Sequence, residues 1–100
     1  MVLVHLLVTK KETVNKIADW LLKVSQAVSV EIDWTREHYI LEGGEIVKET
    51  VHKLTFITKA ANFTSIEKSI QFEHGDQLKE LYSVPVIYQN WNAVKQIVSE

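Results

Sequence analysis

The sequence has no cysteine. Disulfide staples and thiolate metal sites are therefore excluded, and any metal would be held by nitrogen and oxygen donors. The same absence suits a reducing compartment. There is a single proline, at position 85, and only three glycines, two of them adjacent at 43 and 44. No linker rich in these residues divides the chain, so one domain over residues 1–100 is expected. No apolar run approaches the roughly 20 residues needed to cross a bilayer. The opening MVLVHLLVTKK has neither a basic leader nor a small-residue cleavage site, so it is read as part of the fold and the protein is expected in the cytoplasm. A strong charge of either sign is also missing. The formal net charge is −2, which argues against a general binder of nucleic-acid phosphates.

What the sequence does have is clear periodicity. Val2 to Val8 is almost continuously apolar and valine-rich, the pattern of a strand covered on both faces, with His5 the one interruption. Thr9 and Glu12 have capping-box spacing. After them Val14, Ile17, Ala18 and Leu21 recur on one helical face, which predicts a helix over about 11–25. The period then changes to two. Val28, Val30, Ile32 and Trp34 alternate with polar residues in a strand that continues through Tyr39 to Leu41. Beyond the glycines a second strand runs from about Ile46 to Lys59. Its alternation slips between Val51 and Leu54, which suggests a bulge near His52. Phe63, Ile66 and Ile70 form the stripe of a second helix that ends at His74-Gly75, with Thr64 and Glu67 again at capping spacing. Leu78 and Leu81 suggest a short helical turn, Val84 to Tyr88 a strand, and Asn90 the cap of a last helix with Trp91 on its stripe. The order β-α-β-β-α-β, then α, predicts an α+β ferredoxin-like sandwich with an extended central hairpin and a C-terminal helix.

That fold leaves a packing problem. Two helices cover one face of a four-stranded sheet, yet Val2, Val4, Leu6 and Val8 point to one side of the first strand and Leu3 and Leu7 to the other. An exposed apolar face of several hundred Å² is unusual for a soluble monomer, and burying it releases about 25 cal/mol per Å². Strands of a dozen residues also exceed the usual length, so the hairpin should project and be embraced by neighbouring copies. Trp34, Tyr39 and Trp91 are the expected interface anchors. Gly43 and Gly44 supply the positive φ values of a tight hairpin turn.

The pieces LLVT before the first helix, SVEI, YILEGGEI, FITKAANFTSIEKSI, YSVPVI and a final Trp-Asn helix follow one another in the order and spacing of a known family. The whole chain resembles CutA, the divalent-cation tolerance proteins, as a divergent member. The resemblance implies a ferredoxin-like homotrimer similar to the PII signalling proteins. It implies no enzymatic activity and a role in tolerance of copper or other divalent ions, or in anchoring other proteins. Four departures stand out. Ser29 replaces a common cysteine. Leu41 replaces a tryptophan. Gly44 is an added residue. Glu80 to Val86 replaces a segment that in the family begins with histidine and ends with glutamate.

The candidate chemistry is sparse. Residues 31–49 hold six acids against Arg36 and Lys48. His38 and His52, on the two arms of the hairpin, together with Glu42 and Glu45 could supply imidazole and carboxylate ligands to a borderline divalent ion such as copper where copies meet. The competing reading is a solvated hairpin tip whose charges keep its edges soluble. Lys59, Glu80 and Tyr82 could meet in a cleft at the strand ends, with Glu80 as an acid or base if burial raises its pKa; a surface salt bridge is the plainer alternative. His5 is expected to be hydrogen-bonded in a core or interface. An RNA-recognition reading fails because the strand VHKLTFITKA lacks the glycines and the basic-aromatic alternation of that module. A trimeric binding module for a small molecule or a partner protein, without metal, is the alternative to the ion-tolerance reading.

Overall fold

The computed structural model describes residues 1–24 and 26–86. Its elements are β1 (Val2–Val8), α1 (Lys11–Lys23), β2 (Val30–Glu42), β3 (Glu45–Thr58), α2 (Ala60–His74), a 3₁₀ turn at Gly75–Gln77, and β4 (Leu78–Pro85). The strands form one antiparallel sheet in the order β2-β3-β1-β4. This is the ferredoxin-like α+β arrangement that the sequence predicts. The expected C-terminal helix and Trp91 lie outside the described residues.

The core lies between one sheet face and both helices. Val4, Leu6 and Val8 from β1, Leu54 and Phe56 from β3, Val14, Ile17 and Leu21 from α1, and Ile66 and Ile70 from α2 form a single buried cluster. The helix stripes read from the 3.6-residue period are the ones that are buried. Their starts differ from the expectation. The N-caps are Lys10 and Lys59, and neither makes a side-chain capping bond. Thr9 instead gives its amide to the Gln77 carbonyl at 2.9 Å. Thr13 Oγ1 donates to Gln77 Oε1 at 2.7 Å, which ties the start of α1 to the 3₁₀ turn. Thr64 falls inside α2, because that helix begins earlier, at Ala60-Ala61.

The segment after α2 corrects the sequence reading. Leu78 and Leu81 are not in a helical turn; they belong to β4, which pairs with the full length of β1 from Val2↔Pro85 to Val8↔Leu78. A register shift opposite Leu7/Val8 inserts one extra residue. Both leucines then pack against the core although they are three positions apart, a spacing that mimics a helix. Pro85 ends this edge strand, where its missing amide costs the ladder little.

The second irregularity shapes the hairpin. Asp33 pairs with Lys53 and Arg36 with Val51, so Trp34 and Thr35 together face His52. The bulge is near His52 as expected, but the extra residue is on β2. Thr35 has φ 57°, a left-handed conformation that a β-branched residue rarely adopts. Its amide, left out of the ladder, donates to His52 Nδ1 at 3.0 Å. At the far end Gly43 and Gly44 have φ 58° and 81°, the two positive values of a two-residue turn that closes Glu42 on Glu45. The 14 residues of β3 span about 46 Å, and the protein's longest dimension is 47 Å.

Because the strain is local to Thr35, Thr35→Gly is expected to keep the fold and raise its stability by up to about 1 kcal/mol, the relief of a left-handed non-glycine residue less glycine's added chain entropy. Thermal unfolding of the pair of proteins checks this; a lower melting temperature for the glycine variant refutes the strain.

Candidate functional site

The bulge decides which hairpin side chains meet the rest of the sheet. Before it, the odd-numbered residues of β2 share a face with Lys53; after it, Arg36, His38 and Ile40 do, opposite Val51, Glu49 and Val47. This is the open face, away from the helices. On it a chain of imidazoles and carboxylates crosses all four strands. His5 Nε2 is 3.3 Å from Glu80 Oε1. The other oxygen of Glu80 is 3.9 Å from His38 Nε2. His38 Nδ1 is 3.1 Å from Glu49 Oε1, and Glu49 Oε2 is 3.3 Å from Lys79 Nζ. The His5 ring stacks on Tyr82 at 4.4 Å and 18°.

Beside this network is a cleft of about 230 Å³, lined by His5, Leu7, Arg36, Glu37, His38, Val51, Lys53 and Glu80. Leu7 and Val51 are buried and make its apolar floor. His5 Nε2 is enclosed and, despite its nearness to Glu80, has no aligned hydrogen bond. Burial lowers the His5 pKa, and the positive charge of Lys53 lowers it further against the opposing pull of Glu80. The Glu49 carboxyl is held below its ordinary range, first by its hydrogen bond with His38 and then, against some desolvation, by Lys79. A larger hollow of about 350 Å³ between α1 and α2, lined by residues such as Ile17, Trp20 and Ile70, is mainly apolar and is separate from this network.

The residues singled out in the sequence are dispersed. His52 projects to the helix side; it is buried, meets the edge of Trp34 at 5.4 Å, and has Nδ1 engaged by the bulge. Burial lowers its pKa, with a smaller contribution from Lys11. His38 is on the open face. Glu42 and Glu45 flank the turn and are exposed, about 13 Å along the strand from His38. Among the described residues no three His, Asp or Glu side chains converge so as to hold an ion. The described donors of a single chain therefore do not fit a closed metal centre. Glu80 and Tyr82 do come together, on His5. Lys59 does not join them; it follows Thr58, which pairs with Val2, whereas Glu80 pairs with Leu7, about 16 Å away along β1. Trp34 is partly exposed at the bulge. Tyr39 is on the outer hairpin, donating to Glu37 at 3.0 Å, with Lys48 5.8 Å above its ring. Sequence reasoning missed the roles of Glu49 and Lys79 and the pairing of His5 with Glu80, because the β2–β3 register sets Glu49 opposite His38 and the β1–β4 register places Lys79 and Glu80 beside β1.

The shifted groups make acid the destabilising direction. His5, His52 and Glu49 all bind protons less readily when folded. Their stabilising contribution is complete above the unfolded values, about 6.5 for histidine and 4.3 for glutamate, and is lost as pH falls through the lower folded ones. Melting temperature is therefore expected to drop as pH falls from about 7 to about 5, and His5→Gln and His52→Gln should each flatten that slope. A melting temperature that stays level or rises over this range contradicts the assignment.

No family model matches the sequence, and no curated protein does. Solved structures match over nearly the whole chain. The divalent cation tolerance protein Cut A1 from Thermus thermophilus superposes with a TM-score of 0.87 at 20% identity, covering 97% of this chain and 95% of its own. CutA1 from a psychrotrophic Shewanella bacterium gives 0.89 at 16% identity, over 98% and 92%. The periplasmic divalent cation tolerance protein CutA from Archaeoglobus fulgidus gives 0.85 at 17% identity, over 99% and 97%. Likeness of this extent at such low identity is likeness of backbone, and it agrees with the resemblance read from the motifs: the chain has the CutA fold.

Proposed function

We propose that the chain is a divergent, non-enzymatic CutA-type protein that assembles as a homotrimer and serves in divalent-cation tolerance. The observation that carries this reading is the whole-chain CutA fold combined with surfaces that one copy leaves uncovered. On the outer hairpin Leu41 and Ile46 are each 76% exposed and Tyr39 is 58% exposed. They share one face of a two-stranded ribbon, an element that is marginal on its own. On the open sheet face Tyr82 and Val84 are exposed, beside partly buried Leu3 and Ile57. Apolar ribbon and apolar sheet edge are what a ring of copies would cover.

The non-enzymatic part of the reading rests on the likeness to CutA alone. His5 and His38 face carboxylates and His52 faces a backbone amide. A divalent ion would need donors from more than one copy, with His38 and the acids of the hairpin as this chain's contribution. Compartment does not follow from the fold, since the Archaeoglobus protein is described as periplasmic; we place this chain in the cytoplasm on its sequence. The open-face cleft favours a second reading, a PII-like assembly that binds a small molecule there without metal.

Light scattering is expected to give three times the 11.5 kDa mass of the chain, and a lone chain at high dilution overturns the assembly. Calorimetry with Cu²⁺ separates the two readings. Stoichiometric binding that His38→Ala abolishes supports ion tolerance. Absence of heat on an intact trimer removes the ion and leaves the cleft reading.

A further inference from the structure

The cleft over Leu7 contains an uneven set of charges. Its acid on the β4 side, Glu80, already faces two imidazoles, His5 and His38. Glu49 is taken by His38 and Lys79, and Glu37 by Lys48. On the β3 side Lys53 has no ion-pair partner among the described residues. Arg36 meets Asp33 through one nitrogen at 3.4 Å, in a pair that is more than half exposed on both sides, so most of its guanidinium donors remain available. The positive charges of Lys53 and Arg36 both reach into the cleft far enough to disfavour protonation of His5. Below them lies the apolar floor of Leu7 and Val51.

We propose that this cleft binds a small oxyanion, a carboxylate or an inorganic phosphate or sulfate, between the Lys53 ammonium and the Arg36 guanidinium. The proposal rests on the small-ligand reading and names its chemistry. Two cationic heads on neighbouring strands, one able to chelate two oxygens, suit a planar or tetrahedral oxyanion. A short apolar stem attached to it would rest on Leu7 and Val51, with the Glu80 carboxylate on the cleft wall offset by the neighbouring imidazoles of His5 and His38. Every one of these residues belongs to one chain. Neutralising Lys53 and Arg36 also removes part of what keeps His5 uncharged, so binding and protonation of His5 are linked.

The test follows the His5 ring resonances of the full chain by NMR during separate titrations with inorganic phosphate, sulfate, acetate and malonate. A saturable shift at about 10 mM or below is expected with at least one of them, together with a higher His5 pKa in the bound form; which anions saturate tells inorganic from carboxylate ligands. Lys53→Met should weaken binding by about tenfold or more, Lys53→Arg should retain it, and Lys16→Met on α1 should leave it unchanged. If Lys53→Met does not fold, Arg36→Gln takes its place. Unsaturable shifts with all four anions, or equal binding by the charge-removed variant, overturn the proposal. In that event a saturable response of the same resonances to methylammonium would show that the cleft binds a small ligand of the other charge, and no response would end the small-ligand reading as well.

Discussion

One displaced residue on β2 governs the chemistry of this protein. With Trp34 and Thr35 set against His52, the alternation of the strand changes phase, and every later side chain changes face. An unbulged strand would carry Glu37 and Tyr39 over the open face and turn His38 away. The bulge instead brings His38 against Glu49 and within reach of Glu80, which lies on the far edge strand. Its cost is a β-branched residue at positive φ. What holds it is the buried His52 ring, which accepts the stray amide and packs against Trp34. A histidine that could serve as a metal ligand on chemical grounds thus has a structural task in the single chain.

The second constraint is the central position of β1. Flanked by β3 and β4, it is hydrogen-bonded along both edges, and its side chains supply the core on one face and the cleft floor on the other. His5 is in the middle of that strand, so its surroundings come from three strands at once: Tyr82 and Glu80 from β4, Lys53 from β3 and Arg36 from β2. An imidazole placed there is pressed toward its neutral form by burial and by two cations, against the carboxylate alongside. Such opposed influences are what make a group responsive to a bound charge.

The fold and the oligomeric reading depend on the same imbalance between faces. The helices pack on one side of the sheet, whereas the other side is apolar toward Leu3, Ile57 and Val84 and polar around His5, Lys53 and Glu80. The long hairpin adds apolar side chains far from the core. A protein of this shape presents apolar surface for association on its ribbon and its open sheet face, with a polar recess on that same face. The CutA fold with so little sequence identity to its solved examples shows how much of the architecture is set by pattern and how little by particular side chains.

Much of this was written in the sequence. The period-two and period-3.6 stripes identified β1, both helices, the long hairpin and its Gly43-Gly44 turn, because those patterns follow from the backbone geometry of each element alone. Caps were less legible: Thr9 and Thr64 have the right spacing, but lysines stand at the caps, since capping competes with tertiary partners such as Gln77. β4 was misread because its extra residue spaces Leu78 and Leu81 like a helix. The candidate site depended on more distant facts. Glu80 and Tyr82 were recognised, yet their partner His5, like the pairing of Glu49 with His38 and Lys79, follows from strand registers set by two bulges. A bulge moves each subsequent side chain to the opposite face at no visible cost in composition, so only the folded sheet decided which charges met.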